Sequence, residues 1–248
     1  MTLVQGNGET SPEAVGSLGG TIVGLAHLDL DRRRRLGLAE AIWGAHKSAE
    51  QIAAILERLQ ALGLPALVTR VDPEKAAAVL KLVPASRYHP DSRCLTQGPL
   101  EEPPGPVAVS ILTGGTSDLE VAQEAALALR CSGVASRLLV DVGVAGLHRL
   151  LGRLEQLQGS RVLIACAGME GALPTVLAGL VPQPVIGVPV SVGYGVSAGG
   201  QAALQGMLAS CAPGLVVVNI DNGYGAAMAA LRILRGSDCP PKGSEQAF

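Results

Sequence analysis

The residues able to do chemistry gather at the ends of five apolar runs in the second half of the chain. These ends read TGGTSD (113–118), DVGVAGLHR (141–149), CAGMEGALP (166–174), PVSVGYG (189–195) and NIDNGYG (219–225), each pairing glycine with polar side chains. Thr116 and Ser117 follow two glycines and precede a helical pattern. Free amides at such a start, together with hydroxyls, suit a phosphate. Ser117 and Glu120 also have the spacing of an ordinary capping box. Asp118 reads either as a ribose contact or as a complement to the helix dipole. Asp141, His148 and Arg149 surround the second end, where a solvated first turn is the plainer reading. Glu170 is the only acid between Glu155 and Asp221, beside Gly168 and Met169. A carboxylate there serves as a general base, orients a water, or simply begins a helix. Ser191, Asn219 and Asn222 add a hydroxyl and two amides, while Tyr194 and Tyr224 either stack on a flat ring or pack on glycine. Cys211, in MLASCAPG, is either a small hydrophobe or a nucleophile.

The elements that position these residues follow from the pattern. The runs at 107–112, 136–141, 161–166, 184–189 and 214–219 are apolar on both faces, as in a parallel sheet covered by helices on both sides. Five such βα units predict an α/β fold, a three-layer doubly wound parallel sheet over residues 107–237. Ligands then bind beyond the carboxyl ends of the strands. The first half predicts a small α+β N-terminal domain over 25–100. In it, Asp29 to Lys47 reads as a charged helix and turn, and Ser48 opens a helix with Gln51 completing a capping box. Ile52, Ile55, Leu56 and Leu59 share one face of that helix. A strand at Ala66 to Val71 and a helix at Pro73 to Leu82 follow. A Pro-rich linker, 101–106, separates the two domains, and residues 1–24 and 238–248 read as flexible ends. Charge is so sparse after residue 162 that burial between subunits is expected.

Composition removes several classes of function. With 248 residues, 48% hydrophobic and 16% charged, the chain is not disordered. Aromatics at 2% and a net charge of −2 give neither a base-stacking platform nor a basic surface, so no nucleic-acid or membrane partner is expected. Five cysteines without a CxxC pair fit neither a disulfide framework nor a zinc site. No signal peptide and no apolar stretch of about 20 residues is found, which predicts a cytoplasmic location. GxGxxG and GxxxxGK[ST] are both missing.

GGTSD, GLHR and GALPTVLAGLVPQPVIGVPV resemble the phosphate loop and following segments of the PurE superfamily, the carboxyaminoimidazole ribonucleotide mutases. The chain also resembles, over about residues 25–237, the LarB family of synthases that make a pyridinium biscarboxylate mononucleotide for the nickel-pincer cofactor. That resemblance rests on GGTSDLEVAQEAA, DVGVAGLHRLL, AGMEGALPTVLAGLV, SVGYGVSAGGQAALQGMLASCAPG, VVNIDNGYGAA and the N-terminal LDLDRRRRLGLAEAIWGAHKSAEQIAAIL. The mutases' Ala-His-Leu-Pro loop is replaced here by Gly171-Ala172-Leu173-Pro174 preceded by Glu170.

The resemblance implies carboxylation of the pyridinium ring of nicotinic acid adenine dinucleotide, with carbon dioxide or bicarbonate as co-substrate. It further implies hydrolysis of the phosphoanhydride to release AMP. Cys211 would add to the ring as a thiolate and later depart, and Glu170 would take the proton or position water. Ser117, Asp118 and His148 would hold ribose and phosphates with help from Arg149. Asp221, with Asn222, would meet a Mg²⁺ on the anhydride, and the subunits would form a homo-oligomer, an octamer as in the mutases. Arg32 to Arg35 with Lys47 would either reach the diphosphate from a neighbouring subunit or form an exposed charged face. Two other readings stand beside this one: a PurE-type aminoimidazole ribonucleotide carboxylase, which needs no thiol, and a non-catalytic sensor of adenine dinucleotides.

Overall fold

A computed structural model describes residues 20–238 except 23 and 39; the expected flexible ends lie outside the described residues up to 19 and from 239 onward. The N-terminal half begins with a hairpin, β1 (Thr21–Ile22) and β2 (Ala26–His27), and a short helix, α1 (Arg32–Leu36). Then come β3 (Ala41–Trp43), α2 (Ala49–Ala61), β4 (Ala66–Thr69), α3 (Pro73–Leu82), β5 (Ser86–His89) and β6 (Cys94–Gln97). The sheet order is β3-β4-β6-β5, parallel between β3 and β4 and antiparallel elsewhere. The capping box forms as expected: Ser48 Oγ accepts the Gln51 amide at 3.2 Å and Gln51 Oε1 accepts the Ser48 amide at 3.0 Å. Asp72 caps α3 ahead of Pro73 by accepting the Lys75 amide at 2.7 Å.

One reading of this half is corrected. The segment from Asp29 to Lys47 is helical only over Arg32–Leu36 and becomes a strand at Ala41–Trp43. Gly37 ends the helix with φ 68°, a left-handed conformation that glycine adopts without a steric penalty. Arg235, from the far end of the chain, then donates to the carbonyls of Leu36 (2.9 Å) and Gly37 (2.6 Å). That clasp turns the chain away from further helix, where local propensity alone would have continued it. The strands β5 and β6 carry no sequence signal of their own, since the short runs SRYH and CLTQ show no alternation.

The second half has the predicted architecture. Strands β7 (Val109–Thr113), β8 (Ser136–Leu139), β9 (Val162–Ala167), β10 (Val185–Pro189) and β11 (Val216–Val217) lie in the order β11-β10-β9-β7-β8, all parallel. Ile111, Ile164 and Ile186 stand side by side in register and are fully buried. On their face pack α4 (Leu119–Cys131) and α8 (Gly223–Asp238), through Val121, Ala125, Leu129, Ala226 and Ala230. Leu112 and Leu163 face the other way, against Leu150 of α5 (Leu147–Leu151), Leu173 and Leu177 of α6 (Ala172–Ala178), and Met207 of α7 (Gln201–Leu208). The result is three layers, with the last strand shorter than its apolar run.

The two halves share a core. Along β4, alternate side chains point to opposite faces. Val68 joins Ile52, Leu56 and Val79 in the small domain, whereas Leu67 joins Ile111, Leu129 and Leu231 in the large one. Cys94 of β6 does the same as Leu67. Among the described residues no helix is long and apolar enough to cross a membrane.

Candidate active site

Three clefts open along the carboxyl ends of the parallel strands. The first, about 270 Å³, is lined by Gly115, Ser117, Asp118, Arg149, Met169 and Glu170 among others. Asp118 shapes it. Its buried carboxylate accepts the amides of Gly115 (2.8 Å) and Gly168 (3.2 Å), tying the loop after β7 to the turn after β9. At this helix start Asp118 reaches back to the Gly115 amide, and the Ser117–Glu120 box does not form. Ser117 stays exposed and lines this cleft. Burial pushes the Asp118 carboxyl above its ordinary range, against the lowering by its backbone hydrogen bonds.

Arg149 is held by Asp141 at 2.7 Å and reaches the Gly143 carbonyl at 3.4 Å. Asp141 itself adopts φ 58° while its amide donates to Thr113 Oγ1 at 3.1 Å. Met169 (φ 55°) and Asp221 (φ 54°) are also left-handed without being glycine. Such conformations cost about 1–3 kcal/mol each and persist where surrounding contacts over-determine them. All three stand just beyond strand ends, where the expected ligand binds.

The second cleft, about 460 Å³, lies between the two domains and shares Ser117 and Val192 with the first. Ser191 and Asp221 line it, joined by a 2.7 Å bond from the Ser191 amide to Asp221 Oδ1. Across from them stand Arg70 and Arg93 of the N-terminal domain. Arg70 donates to the Asp221 carbonyl at 2.6 Å, and Arg93 pairs with Glu120 at 3.3 Å. Both arginines are left-handed, with φ 57° and 50°. The third cleft, about 330 Å³, shares Arg70 and Glu124 with the second and adds Trp43, Asn219, Asn222 and Tyr224. Glu124 is buried and accepts the Tyr224 amide at 2.7 Å; burial raises its carboxyl, only partly offset by that hydrogen bond.

The structure therefore brings Ser117, Asp118, Arg149, Gly168, Met169 and Glu170 into one cleft, Ser191 and Asp221 into the next, and Asn219 and Asn222 into the third. Thr116, Asp141, His148, Tyr194 and Cys211 line none of the three; Asp141 acts on the first through Arg149. Cys211 is exposed on the connection from α7 to β11. That connection starts close to Glu170, because α7 lies directly on its turn. A β-carbon at Gly206 would stand 2.5 Å from the Glu170 carbonyl oxygen, and one at Gly171 would stand 2.9 Å from Ala203 Cα. Arg70, Arg93, Trp43 and Glu124 were missed in the sequence, since no motif or spacing marks them. Arg34 and Arg35 of the basic run pair with Asp31 and Asp29, and none of Arg32 to Arg35 lines these clefts.

A magnesium ion at Asp221 would rest on that one carboxylate and on the phosphates of its ligand, the usual arrangement for this ion. Among the described residues no group of three or more His, Cys, Asp or Glu is gathered for a metal, and one Asp221 oxygen is already taken by the Ser191 amide.

Residues 21–99 match the LarB/PurE-like N-terminal domain and residues 108–242 match AIR carboxylase. An uncharacterized protein of Methanocaldococcus jannaschii is 39% identical over 212 residues, 82% of this chain and 81% of that one. An N5-carboxyaminoimidazole ribonucleotide mutase of the same organism is 36% identical over 137 residues, 52% of this chain and 80% of the mutase. One from Pyrococcus abyssi is 36% identical over 139 residues, 51% of this chain and 72% of its own length.

Proposed function

Because the chain belongs to the AIR carboxylase family and carries a LarB/PurE-like N-terminal domain ahead of it, we propose that it carboxylates the pyridinium ring of nicotinic acid adenine dinucleotide and hydrolyses its phosphoanhydride, releasing AMP. The observation that carries this reading is the chain of three clefts joined by shared residues. The mutases match only about half of this chain, and the second and third clefts take walls from the N-terminal half, at Trp43, Arg70 and Arg93. A ligand with two nucleoside ends and a charged middle uses all three; a mononucleotide uses one.

The chemistry assigns each residue a task. A pyridinium carbon is electron-poor and does not attack carbon dioxide. Addition of the Cys211 thiolate para to the ring nitrogen gives a dihydropyridine whose neighbouring carbon is enamine-like. That carbon forms the bond to carbon dioxide. Loss of its proton and departure of the thiolate then restore the aromatic ring. A thiolate suits both halves of this sequence, as nucleophile and as leaving group. Glu170, exposed at the mouth of the first cleft, accepts the proton or orients the water that cleaves the anhydride. Ser117, shared by the first and second clefts, holds phosphate through its hydroxyl, with Arg149 beside it. Exposed Tyr194, Val196 and Leu208, together with the charge-poor second half, support assembly as a homo-oligomer, an octamer in this proposal. Assembly also offers Cys211 a route to the cleft of a neighbouring copy.

Purified protein incubated with the dinucleotide and labelled bicarbonate, with products followed by mass, tests the reading. The expected outcome is a labelled biscarboxylate mononucleotide plus AMP, and an adduct mass on the Cys211 peptide. Carboxylation that continues undiminished in Cys211→Ala rejects the thiol mechanism. Turnover of an aminoimidazole ribonucleotide instead supports the mutase-type reading, and saturable binding without AMP release supports a sensor.

A further inference from the structure

We propose that the third cleft is an adenine-recognition site, in which Trp43 stacks on the purine and Asn219, Asn222 and Glu124 read its polar edge. The proposal rests on the reading that the substrate is a dinucleotide, and it assigns which nucleoside lies at which end.

Trp43 is 53% exposed on β3, an unusual place for the largest side chain in a protein with 2% aromatics. It is held without being covered, since the His46 ring meets it at 4.8 Å and 84°, an edge contact. An exposed indole beside a cavity, with His46 against its edge, is a stacking platform; stacking of one base on an aromatic ring contributes about 1–3 kcal/mol. The polar groups around it are aligned by the backbone. Asn219 Oδ1 accepts the Ile220 amide and Asn222 Oδ1 accepts the Gly225 amide, both at 2.8 Å. Each carbonyl is therefore occupied, and each side-chain NH₂ is left to donate. Glu124 uses Oε1 on the Tyr224 amide, which leaves Oε2 as an acceptor. Two amide donors and one carboxylate acceptor complement adenine, whose ring nitrogens accept while its exocyclic amine donates. The acidic end of the dinucleotide fits worse, because its pyridine carboxylate would be brought against Glu124. Arg70 stands at the junction with the second cleft, where the diphosphate of such a ligand would cross.

The chain contains one tryptophan, so emission excited in the indole band reports this cleft alone. We expect AMP, titrated into the full-length protein, to change Trp43 emission saturably, and nicotinic acid mononucleotide to leave it unmoved. Trp43→Ala is expected to weaken AMP binding, followed by calorimetry, about tenfold, with Trp43→Phe recovering most of the loss. The same variant should raise the KM for the dinucleotide with kcat within about twofold. Unaltered AMP affinity in Trp43→Ala, or an emission change caused by the pyridine mononucleotide in place of AMP, overturns the proposal. Saturable AMP binding at Trp43 in a protein that forms no carboxylated product leaves this site standing and removes the reaction. Carboxylation without any AMP-dependent change at Trp43 does the reverse.

Discussion

Gly206 of α7 and the carbonyl of Glu170 are pressed together so closely that a methyl group on Gly206 would sit 2.5 Å from the oxygen. The atom on the other side is backbone and has no rotamer to escape into. This contact seats the start of the segment leading to Cys211 on the turn that presents Glu170, so the two candidate catalytic residues share one support without lining one cleft.

Gly206→Ala places two effects in opposition. Alanine is favoured over glycine in a helix by about 1 kcal/mol, whereas overpacking against fixed atoms costs about 1–3 kcal/mol. The clash should prevail, lowering the urea midpoint and moving the Glu170 turn, with carboxylation falling more than global stability. A variant that is more stable and equally active shows that the contact has room to give.

Thiol reactivity should follow environment rather than count. Burial pushes the Cys94 thiol up to about 12 and the Cys166 thiol higher still, whereas Cys211 is exposed, as is Cys131. Brief iodoacetamide treatment at pH 8 followed by peptide mapping should find Cys211 modified well before Cys94 and Cys166, and activity lost in step. Early modification at Cys166 with Cys211 intact contradicts this order.

Glu124 makes stability depend on pH in a definite direction. Its carboxyl is raised by burial in the folded chain, so the native state holds the proton more tightly than the unfolded one. Stability is therefore full below the ordinary carboxylate range and falls as pH rises through the raised native value. Asp118 acts with the same sign. Glu124→Gln keeps an oxygen for the Tyr224 amide and removes the ionisation, so denaturation midpoints between pH 4 and 8 should fall less steeply than in wild type. Parallel profiles for the two proteins dismiss Glu124 as the source.

Arg70→Ala removes the 2.6 Å hydrogen bond to Asp221 and the left-handed strain at position 70 is only slightly changed, since alanine also resists φ 57°. A charged donor to a partly buried carbonyl contributes about 1–3 kcal/mol. Stability should drop by about that amount, and KM for the dinucleotide should rise several-fold. Arg70→Gly, which tolerates the backbone angle, should be the more stable of the two; the opposite order rejects the strain argument.

Much of this was legible in the residues, and the failures have physical causes. Strands β7, β9 and β10 appear within a few residues of their apolar runs, because a buried parallel strand has no polar face to disguise it. The Ser48–Gln51 box was readable because both partners are local. The strand at Ala41–Trp43 was not, since LAEAIW is rich in helix formers and only pairing with β4 and the Arg235 clasp override them. Ser117 and Glu120 had the right spacing for a box, yet Glu120 turns outward to Arg93 of the other domain, a partner no local spacing announces. Arg70 and Arg93 were invisible for a similar reason: their value lies in what faces them across the domain boundary.

Because β4 sends Val68 into one hydrophobic cluster and Leu67 into the other, the smaller lobe is mortised into the larger rather than resting on it. A clamshell motion between the lobes would drag Leu67 and Cys94 into water, so the walls around Trp43 and Arg70 do not swing on a hinge. The seam that those walls line therefore keeps one width.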